Sequence, residues 1–206
     1  MRILALIIAF IVPTAMATSN YHQVVTTSLG MVSVNITENA STLSAAAGST
    51  ESNTASEAQS ATASVISGDV TYEFLNYATK SYFIRAVAPL LSSDGAGFFL
   101  GGLGMNFYMN SLSSMFTFSD AGTSLTMNPT MRFYWGPSAG IGFVVYNTTT
   151  AKKSDLIFDI ELHGGGVLNF KRDYGLRGEA GISRGTGVSS STIGFKVFVG
   201  LSYYLE

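Results

Sequence analysis

After Asp69 apolar and polar residues alternate with a period of two, the pattern of strands that have one apolar and one polar face. In the last run Ile193, Phe195, Val197, Val199, Leu201, Tyr203 and Leu205 share a side, opposite Gly194, Lys196, Phe198, Gly200, Ser202, Tyr204 and Glu206. Leu156, Phe158, Ile160, Leu162, Leu168 and Phe170 oppose Asp155, Asp159, Glu161, His163 and Asn169 in the same way. Phe99, Leu103, Met105, Phe107 and Met109 oppose Gly102, Gly104, Asn106 and Tyr108, and Met127, Met131, Phe133 and Trp135 oppose Asn128, Thr130, Arg132 and Tyr134. The pattern predicts eight strands, at 70–78, 80–91, 97–110, 124–135, 139–148, 155–170, 174–184 and 191–205. Runs of ten or more residues exceed the ~5–6 usual in soluble sheets and suit a tilted membrane crossing of ~9–11.

The first 68 residues read differently. Met1-Arg2, the ten apolar residues Ile3 to Val12 and the small residues ending at Ala17 follow the order of a secretory signal peptide, with cleavage expected after Ala17. Residues 18–68 carry no Lys or Arg before Gly68, and Ala40 to Ser64 is nearly all Ala, Ser, Thr, Asn, Glu, Gln and Gly. So little apolar area cannot offset the entropy of ordering, which predicts a disordered arm over 18–68. Gly30 to Thr37 alternates well enough for an isolated strand, without an evident partner. The domains expected are therefore a signal peptide at 1–17, the arm at 18–68 and a barrel at 69–206.

Composition sharpens this picture. Of 206 residues 47% are hydrophobic and only 12% charged, and mean hydropathy is +0.31. That surface suits something other than water, yet no apolar run after Ala17 reaches the ~20 residues of a membrane helix. Eleven basic against thirteen acidic residues give no electrostatic case for nucleic acid. With no cysteine, disulfides, thiolate metal sites and cysteine nucleophiles are excluded. Strands must then carry the hydropathy, and an even number of long antiparallel strands closes into a transmembrane β-barrel. With both ends of residues 69–206 on the periplasmic side, Ser92 to Gly95, Trp135 to Ser138 and Lys171 to Tyr174 become short periplasmic turns. The longer links Ser111 to Ser124, Asn147 to Ser154 and Gly185 to Ser191 face outside. A tight first hairpin near Tyr77 to Ser81 and the mid-strand Pro129 sit awkwardly in that scheme.

These alternating, aromatic-rich strands resemble the small outer-membrane β-barrel superfamily, the eight-stranded OmpA/OmpX-like group, over residues 69–206. The resemblance implies a bacterial outer-membrane location, contact with outer-membrane lipid and lipopolysaccharide, and recognition by the barrel assembly machinery. Gly200, Tyr203 and Leu205 match that group's C-terminal assembly signal, while Phe198 and Glu206 depart from it.

Turning the polar face inward gathers Arg85, Arg132, Arg177 and Lys196 with Glu73, Asp159, Glu161 and Glu179, and His163 beside them. Eight strands leave room only for side chains, so these charges are expected to pair and plug the lumen. The leading expectation is a non-enzymatic structural, surface or adhesion protein that needs no cofactor and no metal. Its arm is available for an envelope protein or peptidoglycan, and its oligomeric state is open. Two alternatives remain: a small pore or oligomeric channel, and a lipid-modifying barrel enzyme using His163 and Glu161. A soluble lipid-binding barrel would need the opposite arrangement, with the Arg/Glu face outward. Lys152, Lys153 and Arg184 are candidates for lipopolysaccharide phosphates on the outer side. Gly181-Ile182-Ser183-Arg184-Gly185 fits the spacing of a nucleophile elbow, but that motif needs a strand-to-helix turn and no helix pattern follows.

Overall fold

The computed structural model describes residues 22–38, 60–77, 79–92, 97–109, 116–120, 123–127, 131–147, 152–171 and 174–205. The strands are β1 (His22–Glu38), β2 (Ser60–Tyr77), β3 (Lys80–Ser92), β4 (Gly97–Tyr108), β5 (Phe116–Asp120), β6 (Thr123–Met127), β7 (Met131–Asn147), β8 (Lys152–Lys171), β9 (Tyr174–Gly187) and β10 (Ser190–Leu205). Eight of them close into an antiparallel barrel in the order β1-β10-β9-β8-β7-β4-β3-β2, and β5 and β6 form a separate two-stranded sheet. The rim where β1 begins is here the lower rim, and the rim at Glu38 the upper.

The barrel has the expected strand number but two different members. The arm predicted over 18–68 contains all of β1 and the first half of β2; residues 1–21 and 39–59, with the signal peptide, lie outside the described residues. The segment read as an isolated strand closes the barrel, paired with β10 from Gln23↔Leu205 to Glu38↔Ser190 and with β2 from His22↔Leu75 to Thr37↔Ser60. Conversely, the runs at 124–135 and 139–148 are not two strands. Residues 131–147 form the single strand β7, Met127 belongs to β6, and Pro129 lies outside the described residues.

Gly136-Pro137 suggested a turn and instead sits inside β7. The reason is local to the ladder. On the β8 side the pairs Gly136↔His163 and Pro137↔Leu162 are kept. On the β4 side pairing skips from Gly104↔Ser138 to Phe107↔Trp135, so the proline nitrogen falls where no donor is used. Gly136 matters for space: a Cβ there would run into the Met105 carbonyl of β4. Gly136→Val is therefore expected to lower stability by about 1–3 kcal/mol, read from urea unfolding in detergent. An unchanged midpoint would mean that β4 can back away freely.

The added first strand also reassigns the rims. The strand ends Glu38, Ser60, Ser92, Gly97, Asn147 and Lys152 share the upper rim with the Val188-Ser189 turn. The strand ends Tyr77, Lys80, Tyr108, Met131, Lys171 and Tyr174 share the lower rim. The strand ends that flank the expected Ser92 to Gly95 turn and Ser111 to Ser124 link thus lie on the rims opposite to those expected. The short Tyr77–Lys80 link falls on the same rim as the strand ends Lys171 and Tyr174, separated by only two residues, which removes its awkwardness.

Apolar side chains cover the outside on every strand of the barrel: Leu29, Val70, Ile84, Leu103, Ile141, Phe158, Ile182 and Val199 are all exposed. The outward Tyr and Trp residues, Tyr72, Tyr82, Trp135, Tyr174 and Tyr203, gather toward the lower rim. Toward the upper rim the outward positions of β1 and β2 turn polar, at Ser33, Asn35, Thr37, Ser60, Thr62 and Ser64. The Arg/Glu face points inward: Arg132 is 5% exposed and Glu179 6%. A soluble barrel with that face in water is the reverse of this arrangement.

Candidate functional site

The lumen is built in three layers. Near the upper rim Val32, Val34 and Ile36 of β1 meet Val87, Phe98, Leu100, Val144, Ile157 and Phe198 in an apolar plug. Near the lower rim Val24, Tyr108, Tyr134, Val167 and Tyr204 form a second, aromatic-rich cluster. Between them lies a belt of buried charge. Strand alternation produces it directly, because Asp69, Thr71 and Glu73 on β2, Asp159, Glu161 and His163 on β8, and Arg177 and Glu179 on β9 are consecutive inward positions.

The belt is one connected chain of ion pairs. Lys196 Nζ donates to Asp159 Oδ2 and Glu161 Oε2, each at 2.8 Å. Glu161 also receives Arg85 at 3.3 Å, and Arg85 Nε lies 3.1 Å from Asp69. Arg85 continues to Glu179, whose other oxygen is 3.2 Å from Arg177; Arg177 ends the chain on Glu73 at 2.6 Å. Aromatic rings wall it, with Lys196 5.1 Å from the Phe98 centroid and Arg177 4.3 Å from that of Tyr134.

Hydrogen bonds satisfy most of what the ion pairs leave. Glu73 accepts from Ser81, Tyr108 and Asn106 as well as Arg177. The Tyr134 hydroxyl donates to Glu179 at 2.7 Å and accepts from Arg177 Nε at 2.6 Å. Because the Asn106 amide nitrogen is spent on Glu73, its oxygen faces His163 Nε2 at 2.8 Å, which makes Nε2 the donor. The His163 ring is held edge-on to Phe83 at 5.3 Å and is 2% exposed as a residue. The imidazole is thus enclosed within the lumen, away from the apolar outer wall.

Of the residues that sequence placed inside, Glu73, Arg85, Asp159, Glu161, Arg177, Glu179 and Lys196 meet in this network, and His163 adjoins it through Asn106. Arg132 packs over the Tyr108 ring, 3.7 Å from its centroid. Asp69 is the network member that sequence reasoning missed, since the first strand expected there begins one residue later, at 70. Asn106, Tyr108 and Tyr134 were assigned to the inward face without a role. Among the described residues no group of three or more His, Cys, Asp or Glu is arranged to hold a metal ion. Ser183 of the elbow-like motif points into the lumen in mid-strand, with no helix after it.

The upper-rim cations have separate fates. Lys153 is engaged by Glu38, at 2.7 and 2.9 Å, in a contact the sequence did not suggest. Lys152 is exposed at the tip of β8, and Arg184 projects outward from β9. At the lower rim Gly200 faces inward and Tyr203 outward, its ring 5.1 Å from that of Tyr174.

No protein-family pattern and no curated protein sequence matches the chain. Solved structures do. Neisserial surface protein A (NspA) superposes with a TM-score of 0.51 at 8% identity, covering 90% of this chain and 99% of that one. The N-terminal β-barrel domain of Pseudomonas aeruginosa OprF also gives 0.51 at 8% identity, covering 89% and 97%. The fold is that of the small outer-membrane β-barrels. Within this small outer-membrane barrel fold, identity so low means that the resemblance lies in strand number and closure. The charge belt is established by this chain's own residues.

Proposed function

We propose that this chain is a non-enzymatic β-barrel of the bacterial outer membrane, a structural or surface component with a sealed lumen. The observation that carries the reading is the sorting of the wall. Large apolar side chains cover the outside of all eight strands, while the ion-pair network occupies the inside between two apolar layers. Hydrocarbon tolerates that exterior, and an eight-stranded lumen accommodates that interior without a water path. In the same reading residues 1–17 are the export signal, and Gly200, Tyr203 and Leu205 serve recognition by the assembly machinery.

The upper rim, with its polar strand ends, is the side we assign to the cell surface, where Lys152, Lys153 and Arg184 face lipopolysaccharide and an adhesive contact would form. Any contact with peptidoglycan or another envelope protein rests on residues other than 22–38 and 60–68, which are barrel strand.

Reconstitution in planar bilayers tests the sealed lumen. The refolded protein is expected to insert without discrete conductance steps at any voltage. Reproducible steps from a monodisperse sample would favour the pore alternative. Fractionation with the outer membrane, and gel migration that changes on heating, test the location and the barrel.

A further inference from the structure

Outward-facing charge is scarce on this barrel. Among the described residues it comprises Lys80 and Lys152, at the ends of their strands, and Arg184. Arg184 differs in its surroundings. Its cross-strand neighbours are Ile160 and Ile193, and the next outward residue below it on β9 is Ile182, all three exposed. No carboxylate or hydrogen-bond acceptor among the described residues pairs with it. An unpaired guanidinium at the edge of an apolar band extends toward the water boundary, where the anions available are lipid phosphates.

Directly below Arg184 the wall is indented. A furrow of about 310 Å³ is lined by Trp135, Leu162, Gly164, Ala180, Ile182 and Phe195, with the backbone around His163 and Gly181 as its floor. Within it the small outward residues Gly164 and Ala180 pair directly, and the next outward pair below them is Gly166 with Gly178. Barrel packing does not require the absence of a side chain at two of these positions. A Cβ on Gly164 would find its nearest neighbours at 3.5 and 3.9 Å, and one on Gly178 nothing within 4 Å. The inward Gly165 is different, since a Cβ there would strike the Gly178 carbonyl and the Tyr134 hydroxyl. Glycine weakens a strand, and where the fold has no need of it a close approach by another molecule is the remaining physical reason.

The geometry points to a lipid A site on the β8–β9 face: Arg184 holds a phosphate at the upper boundary, and one acyl chain descends past Ile182 into the furrow over Gly164 and Ala180. Two features choose this occupant. The charge of Arg184 complements a phosphate, and the four outward residues from Arg184 to Gly178 run down the wall as a saturated chain would. The choice of lipid A over a phospholipid rests on the assignment of the upper rim to the cell surface.

The test uses the purified, refolded full barrel in mixed micelles with three probes: bisphosphorylated lipid A, the same lipid A without phosphates, and phosphatidylglycerol. Native mass spectrometry reads the lipid retained. Wild type is expected to hold one bisphosphorylated lipid A at least tenfold more than either other probe. Arg184→Gln should lose that preference, and Ala180→Phe, which fills the furrow, should lower retention about tenfold. Equal retention by Arg184→Gln, or of the phosphate-free lipid, overturns the phosphate contact. Unchanged retention by Ala180→Phe overturns the furrow as its acyl half, and equal retention of phosphatidylglycerol overturns lipid A as the occupant. Heat-modifiable migration of each sample separates these results from failure of the membrane-barrel reading, which would appear in wild type as well.

Discussion

Arg177→Ala is expected to destabilise the barrel by about 3–5 kcal/mol, the range for breaking one partner out of a buried ionic cluster. Among the described residues Arg177 is the cation paired with Glu73, at 2.6 Å, and it shares Glu179 with Arg85. Its removal leaves the Glu73 carboxylate, 1% exposed, with the neutral donors Ser81, Asn106 and Tyr108. Tyr134 loses the donor to its hydroxyl in the same step. Urea unfolding in detergent, followed by gel migration or circular dichroism, measures the loss. Glu73→Gln in the Arg177→Ala background is the informative partner, because an amide keeps an acceptor for the three neutral donors without the charge. Recovery of more than about 1 kcal/mol in the double variant assigns the damage to the stranded carboxylate. No recovery would place it in lost packing around the guanidinium.

A chain beginning at Asp69 is expected not to close at all. Residues 69–206 hold all the alternation that is obvious in the sequence, but they lack β1 and the upper half of β2. Without β1, β10 and β2 present unpaired edges to the membrane interior, and every unsatisfied backbone group there costs several kcal/mol. The apolar plug loses Val32, Val34 and Ile36 together. Such a truncated chain, refolded beside full-length protein, should show no heat-modifiable form and should aggregate. A heat-modifiable barrel from residues 69–206 would mean that β10 can close directly on β2, and the register assigned to β1 would be wrong.

These two expectations draw on different kinds of information. The inward charges were legible because facing follows from parity: once Glu161 and Glu179 lie in alternating strands, hydrocarbon outside leaves them only the lumen. Which charge meets which was not legible. Arg85 and Glu179 are 94 positions apart, and they touch because the barrel is narrow enough for side chains from opposite walls to meet. Asp69 was missed for a related reason. It sits at the junction of the expected arm and the first expected strand, while its partner Arg85 lies on the neighbouring strand of the β2–β3 hairpin.

The amino-acid pattern alone determined the strand period, the apolar exterior, the ionic interior and the closing strand at the C-terminal side, since each depends on neighbours two residues away. Strand membership was decided only in three dimensions. His22–Glu38 is weakly patterned and becomes a strand because β10 and β2 offer it ladders on both sides. Gly136-Pro137 carries a turn signal and remains extended because its missing donor falls in a gap of the β4 ladder. Local chemistry sets which way a residue faces, whereas backbone pairing over long stretches of chain sets whether it has a strand to face from.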